Sequence, residues 1–160
     1  NAIMSQQVSV ASAAAIWQRL ENQNVTDAAT VLATSQDDLR ALGLSRQKAR
    51  YAHALAAADI DYDALRRAPD GAVIETLTAV PGIGVWTAQI YAMFSLGRAD
   101  VFAPGDLALQ EAARHLFALE CRPTERQLRD MATAWAPWRS VAARLLFAYY
   151  SHIKNRDGLL

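Results

Sequence analysis

From Thr76 to Gly97 the chain carries no charged residue, and no other feature limits its fold so strongly. Such a run either crosses a bilayer or lies in a protein core. Pro81, Gly82 and Gly84 interrupt it near its start, and Thr87, Gln89 and Ser95 place polar groups in the remainder. Proline lacks the N–H that a helix interior needs, and closely spaced glycines favour turns. The stretch is therefore predicted to be a helix end, a tight turn and a second, buried helix from about Val85. No membrane segment is expected.

The rest of the chain fits this picture. Apolar residues recur at helical spacing almost throughout, and no run alternates with period two long enough to make a convincing strand. With 52% hydrophobic and 20% charged residues, the 160-residue chain also lacks the composition of a disordered one. The predicted fold class is all-α. Ser9 can cap a helix with Val10, Ala13, Ala14, Trp17 and Leu20 on one face, and Ser35 and Ser45 precede two more, the first ending at Gly43. A short run from Asp61 to Ala68 stops at Pro69, and Asp70 opens the segment that reaches Pro81. After the uncharged helix come a loop from Arg98 to Gly105, a helix from Asp106 to about Leu119, one starting at Thr124, and a last helix with Pro137 in its first turn, running to about Lys154. The expected organisation is two packed helical lobes within residues 1–160, with a cleft between them. The chain opens on Asn1 inside what already reads as helix, so preceding residues are expected in the full product.

Charge and cysteine content narrow the function classes. Lys+Arg 16 against Asp+Glu 16 excludes a broadly basic, histone-like binder, yet from Cys121 onward Arg122, Arg126, Arg129, Arg139, Arg144, Lys154 and Arg156 face only Glu125, Asp130 and Asp157. A single cysteine, Cys121, excludes an intramolecular disulfide, a cysteine-type zinc site and an iron–sulfur cluster. A reducing, cytoplasmic setting is expected, nucleoid-associated if the source is bacterial. His53, His115 and His152 have no mutual metal spacing and are read as surface or packing residues.

Chemistry concentrates in Leu77-Thr78-Ala79-Val80-Pro81-Gly82-Ile83-Gly84-Val85-Trp86-Thr87-Ala88. Two glycines this close admit positive φ and leave backbone N–H groups without side-chain cover. At a helix N-terminus such groups point at an approaching anion, and the dipole favours phosphate. An ordinary turn between two helices uses the same residues, so the turn alone leaves both roles open.

The segment resembles, over its whole length, the helix-hairpin-helix motif of the base-excision DNA glycosylase superfamily. So do Ile3 to Val10, similar to the family's N-terminal segment; Asp100-Val101-Phe102-Ala103-Pro104-Gly105-Asp106-Leu107, similar to the loop that ends in an essential aspartate; and Pro137-Trp138-Arg139-Ser140, similar to a run of the alkylation-repair members. The resemblance implies a glycosylase that hydrolyses the N-glycosidic bond of alkylated purines such as 3-methyladenine in duplex DNA. It implies Asp106 as the catalytic residue. An aspartate after Pro-Gly and before an apolar run is also a good helix cap, and the two roles are compatible. A carboxylate is what a developing oxocarbenium ion at a sugar C1′ requires. Asp100 belongs to the loop and is taken as structural.

Trp86 stands where members that also cut the strand carry a Schiff-base lysine; indole has no amine for that step. The resemblance thus implies a monofunctional enzyme without lyase activity, and an aromatic face for electron-poor methylated bases. The implied base pocket is Trp86, Ile90, Leu107 and Phe147, with Ala108, and is less aromatic than in many members. Implied DNA contacts are Gln7, as the wedge that replaces a flipped base, and Pro81, Gly82, Ile83, Gly84 and Thr87. Main-chain carbonyls of Thr78, Val80 and Ile83 would hold a monovalent cation, sodium or potassium; no other cofactor is implied, and the protein is expected to be a monomer. Two alternatives remain at this stage: a glycosylase for a deaminated or oxidised base, and a non-enzymatic hairpin module that only holds DNA backbone.

Overall fold

The computed structural model describes residues 10–156. It contains α1 (Val10–Asn22), α2 (Ala28–Ala33), α3 (Gln36–Ala41), α4 (Arg46–Ala57), α5 (Tyr62–Arg67), α6 (Asp70–Thr78), α7 (Val85–Phe94), α8 (Leu107–Leu116), α9 (Glu125–Ala132), a 3-10 turn (Thr133–Trp135) and α10 (Arg139–Arg156). No strand occurs among the described residues, so the all-α expectation holds. No helix among them is long and apolar enough to cross a membrane. The chain divides into two compact units, one extending to Ala88 and the other starting at Gln89; the division falls within α7.

In the first unit the helix starts follow the caps read from sequence. Ser35 and Ser45 accept the amides of Asp38 and Lys48 at 3.1 and 3.2 Å, and Asp61 accepts that of Ala64 at 2.8 Å. Ser9 lies outside the described residues. Helix α1 buries Ala13, Ile16 and Leu20, α6 buries Val73 and Leu77, and Leu39, Leu44, Ala49 and Leu65 complete the core. Helices α1 and α3 end on left-handed residues, Asn24 (φ 56) and Gly43 (φ 109), whose following amides reach back to Leu20 O and Leu39 O. Helix α2 was not expected. It is six residues long, is capped reciprocally by Asp27 and Thr30, and buries none of its own residues, so it leaves no apolar stripe in the sequence.

In the second unit α8 packs along α10, and the fully buried alanines Ala112, Ala113 and Ala143 permit close approach. Two expectations need correction. Pro137 is not in the first turn of the last helix: it follows a cis peptide bond from Ala136, and α10 begins at Arg139. Helix α8 stops at Leu116 rather than near Leu119, because Ala118 adopts φ 50 and the Leu119 amide turns back to Arg114 O at 2.9 Å. This is a Schellman end without glycine, which the sequence does not signal.

Candidate active site

The hairpin is built by backbone. After α6, the amide of Val80 donates to Leu77 O at 3.1 Å and that of Ile83 to Val80 O at 3.0 Å; the Ala88 amide closes the first turn of α7 onto Gly84 O. Gly82 has φ 91, and a Cβ there would meet Tyr51 Cγ at 2.1 Å, so both conformation and space demand glycine. The tyrosine ring lies directly over the turn, and its hydroxyl accepts a hydrogen bond from Gln47 Nε2 at 2.5 Å. Sequence reading missed Tyr51, since an aromatic in a helical run gives no sign of which turn it covers. Of the predicted hairpin contacts, Pro81 and Gly84 are exposed, Gly82 is half-buried, and Ile83 and Thr87 are buried. Thr78 and Val80 flank the turn; the Thr78 hydroxyl donates to Ile74 O at 2.8 Å. Trp86, in the first turn of α7, is 38% exposed. A cavity of about 450 Å³ in this unit, lined by Ala54, Ile60, Thr76, Val80 and Pro81 among others, includes none of the predicted base-pocket residues.

The loop before α8 is built by side chains. Asp106 caps α8, with Oδ1 accepting the amides of Ala108 at 2.8 Å and Leu109 at 3.1 Å. It is 8% exposed. A carboxylate held this way at a helix N-terminus sits where the dipole favours negative charge. The loop's upstream end is tied to the start of α10. Asp100 accepts Arg139 Nε and Nη2, both at 2.7 Å, and this paired guanidinium holds the Asp100 carboxyl below its ordinary pKa. Ser140, fully buried, donates its hydroxyl to Val101 O at 2.6 Å and accepts the Val101 amide at 3.0 Å. Asp100 is thus structural, as expected. Gln110 reaches back to Pro104 O at 2.9 Å; it escaped sequence reading, and Ser140 was noted only as part of a motif, because polar residues in helices read as surface.

Leu107 is 62% exposed beside Asp106, and Ala108 is half-buried. Ile90 and Phe147 are half-buried. The Phe147 ring faces Phe94 at 5.9 Å between centroids, and Arg144 lies over Phe94 at 4.6 Å while donating to Met93 O. The basic character of the last third is partly internal, since Arg139 and Arg129 pair with Asp100 and Glu125. Gln7 lies outside the described residues. Among the described residues no group of His, Cys, Asp and Glu could hold a metal ion.

The pattern of the HhH-GPD superfamily base excision DNA repair proteins matches residues 1–138. The chain belongs to this superfamily. Its relatives and structural neighbours include 3-methyladenine DNA glycosylases. DNA-3-methyladenine glycosylase 2 of Escherichia coli is 30% identical over 164 residues, covering 94% of this chain and 55% of that protein. Among solved structures, the Schizosaccharomyces pombe 3-methyladenine DNA glycosylase Mag1, in complex with abasic DNA, has a TM-score of 0.83 at 30% identity, covering 91% of this chain and 75% of the other. A DNA-3-methyladenine glycosidase of Bacillus halodurans has a TM-score of 0.82 at 33% identity, covering 96% of this chain and 74% of the other. The chain spans 55% of the Escherichia coli relative's length and 42% of a Bacillus subtilis relative's.

Proposed function

We propose that this chain is a monofunctional DNA glycosylase that releases alkylated purines such as 3-methyladenine from duplex DNA and leaves an abasic site. The observation that carries the proposal is Asp106, a nearly buried carboxylate fixed by two amides at the N-terminus of α8 on a loop braced from α10. Acting alone at an undamaged nucleotide, one carboxylate does little. At a base already made cationic by alkylation, the C1′–N bond breaks with its electron pair going to the departing, now neutral base. Asp106 stabilises the oxocarbenium ion that remains, a fixed charge aimed where positive charge develops. Water then adds to C1′ and loses a proton to Asp106 or to solvent.

Trp86, partly exposed at the start of α7, offers an aromatic ring to the methylated base for stacking and cation–π attraction. The N-terminus of α7, which follows Gly84, serves the phosphate backbone, and Gln7 fills the stack from which the base has been extruded. Thr78, Val80 and Ile83 carbonyls would hold a sodium or potassium ion: neutral oxygen donors suit such a cation, and Val80 O keeps a second lone pair beside its bond from Ile83. Such an ion supplies positive charge toward a phosphate.

The test is incubation with methylated duplex DNA, with free bases measured and the strand examined before and after alkali. Free methylated purine, strand breaks only after alkali and no borohydride-trapped adduct are expected, since position 86 offers no amine. Breaks before alkali, or a trapped adduct, would refute the monofunctional assignment. Binding without base release would leave only a backbone-holding module.

A further inference from the structure

Gln110 is a buried polar side chain for which the proposed chemistry has no use. It lies in the first turns of α8 and is 7% exposed. Its side-chain Nε2 donates to Pro104 O at 2.9 Å, while its main-chain amide donates to Asp106 O at 3.0 Å. One residue therefore grips the carbonyls on either side of Gly105, and the second of them belongs to the residue that carries the carboxylate. Packing alone does not call for an amide here, because an apolar side chain of similar size would fill the space without a buried polar group to satisfy. The bonds from Arg139 and Ser140 hold the loop at 100–101, three or more residues upstream of Pro104, and leave 104–106 to other restraints. The Asp106 amide adds a local turn, to Ala103 O at 3.0 Å.

We infer that Gln110 is a positioning residue: its amide fixes Pro104, and through it the backbone on which Asp106 aims its carboxylate. The inference rests on Asp106 being the catalytic group. Catalysis by a fixed charge is sensitive to small displacements, and a shift of about 1 Å can lower a rate on the order of a hundredfold. Gln110→Leu removes the donor while keeping bulk. Gln110→Glu replaces it with a group that can donate to Pro104 O only when protonated.

Single-turnover release of 3-methyladenine at saturating DNA is measured for both variants and the wild type between pH about 8 and about 5, the window above the usual carboxylate range. In Gln110→Leu the rate is expected to fall roughly tenfold to a hundredfold at every pH, with duplex affinity within about twofold of wild type. In Gln110→Glu the deficit relative to wild type is expected to shrink as pH falls and the new carboxyl takes up its proton. A merely structural loss gives deficits that run parallel in the two variants, and that result overturns the inference. So does a Gln110→Leu rate within about twofold of wild type.

A second readout needs no substrate and separates this inference from the glycosylase assignment. In the free protein, hydrogen exchange at the Ala108 and Leu109 amides, which Asp106 caps, is expected to be about tenfold faster in Gln110→Leu at a similar Tm. Exchange equal to wild type overturns the positioning role. A wild-type protein that releases no base overturns the glycosylase assignment instead.

Discussion

The hairpin turn and the Asp106 loop are both short, glycine-containing segments that lead into a helix, yet they are fixed by opposite means. At 79–84 the backbone does the work: local carbonyls take the amides of Val80 and Ile83, Gly82 adopts φ 91, and the ring of Tyr51 lies against it. At 100–106 side chains do it, and the partners lie 39 residues away, Asp100 with Arg139 and Val101 with Ser140. A site that must meet a repeating, uniform phosphate can be made of main chain. One that must aim a single carboxylate needs restraints specific to each side chain.

The sharpest way to break this contrast is at Asp106. Asp106→Asn keeps an oxygen for the Ala108 and Leu109 amides, so the fold and duplex affinity should persist. Base release should fall by about 10²–10³, the loss typical of one electrostatic stabiliser. Single-turnover release near the wild-type rate would remove Asp106 from the chemistry.

At the hairpin the comparison predicts loss of binding rather than of chemistry. Gly82→Ala meets both the positive φ and the Tyr51 ring, and should destabilise the turn by about 1–3 kcal/mol and weaken duplex affinity to match. Adding Tyr51→Ala should recover the steric part but not the conformational part. Affinity titrations at several salt concentrations check this: the slope of log K against log salt should lose about 0.9 for each phosphate contact that disappears.

Trp86→Ala separates the lesion from the backbone. Removing a stacking face worth about 1–3 kcal/mol should weaken action on methylated purines and leave affinity for undamaged duplex nearly unchanged. If both fall together in competition assays, Trp86 supports the hairpin and is not part of the pocket.

The smallest effect is expected at Asp100. Its folded pKa lies below the unfolded value of about 3.9, chiefly through the Arg139 hydrogen bonds. The clamp therefore contributes stability above that value and loses it as pH falls through the folded pKa. Thermal melts of wild type and Arg139→Gln should differ at neutral pH and converge in acid; a constant gap would show that the guanidinium acts through packing alone.

The same contrast decides what could be read from the sequence. The hairpin was legible because its determinants are contiguous: glycine, proline and an uncharged flank state a backbone conformation in order. Caps at Ser35, Ser45, Asp61, Asp106 and Thr124 were legible for the same reason. Asp106 was singled out through its motif, but what braces its loop was not, because Ser140 and Gln110 are polar residues on helices and nothing local marks them as buried. Likewise α2, which has no buried residue, and the α8 end at Ala118, which has no glycine, carry no local signature.

The 39-residue separation of the loop from its braces also orders events during synthesis. A chain that has emerged only through α8 already contains the hairpin, Trp86 and Asp106, but Arg139 and Ser140 have not yet been added. The hairpin turn can form from what is present, whereas the clamps at Asp100 and Val101 must await the start of α10. On the proposed function, the hairpin of a nascent chain would be in place before the loop that carries Asp106 is braced, and the brace would arrive with α10.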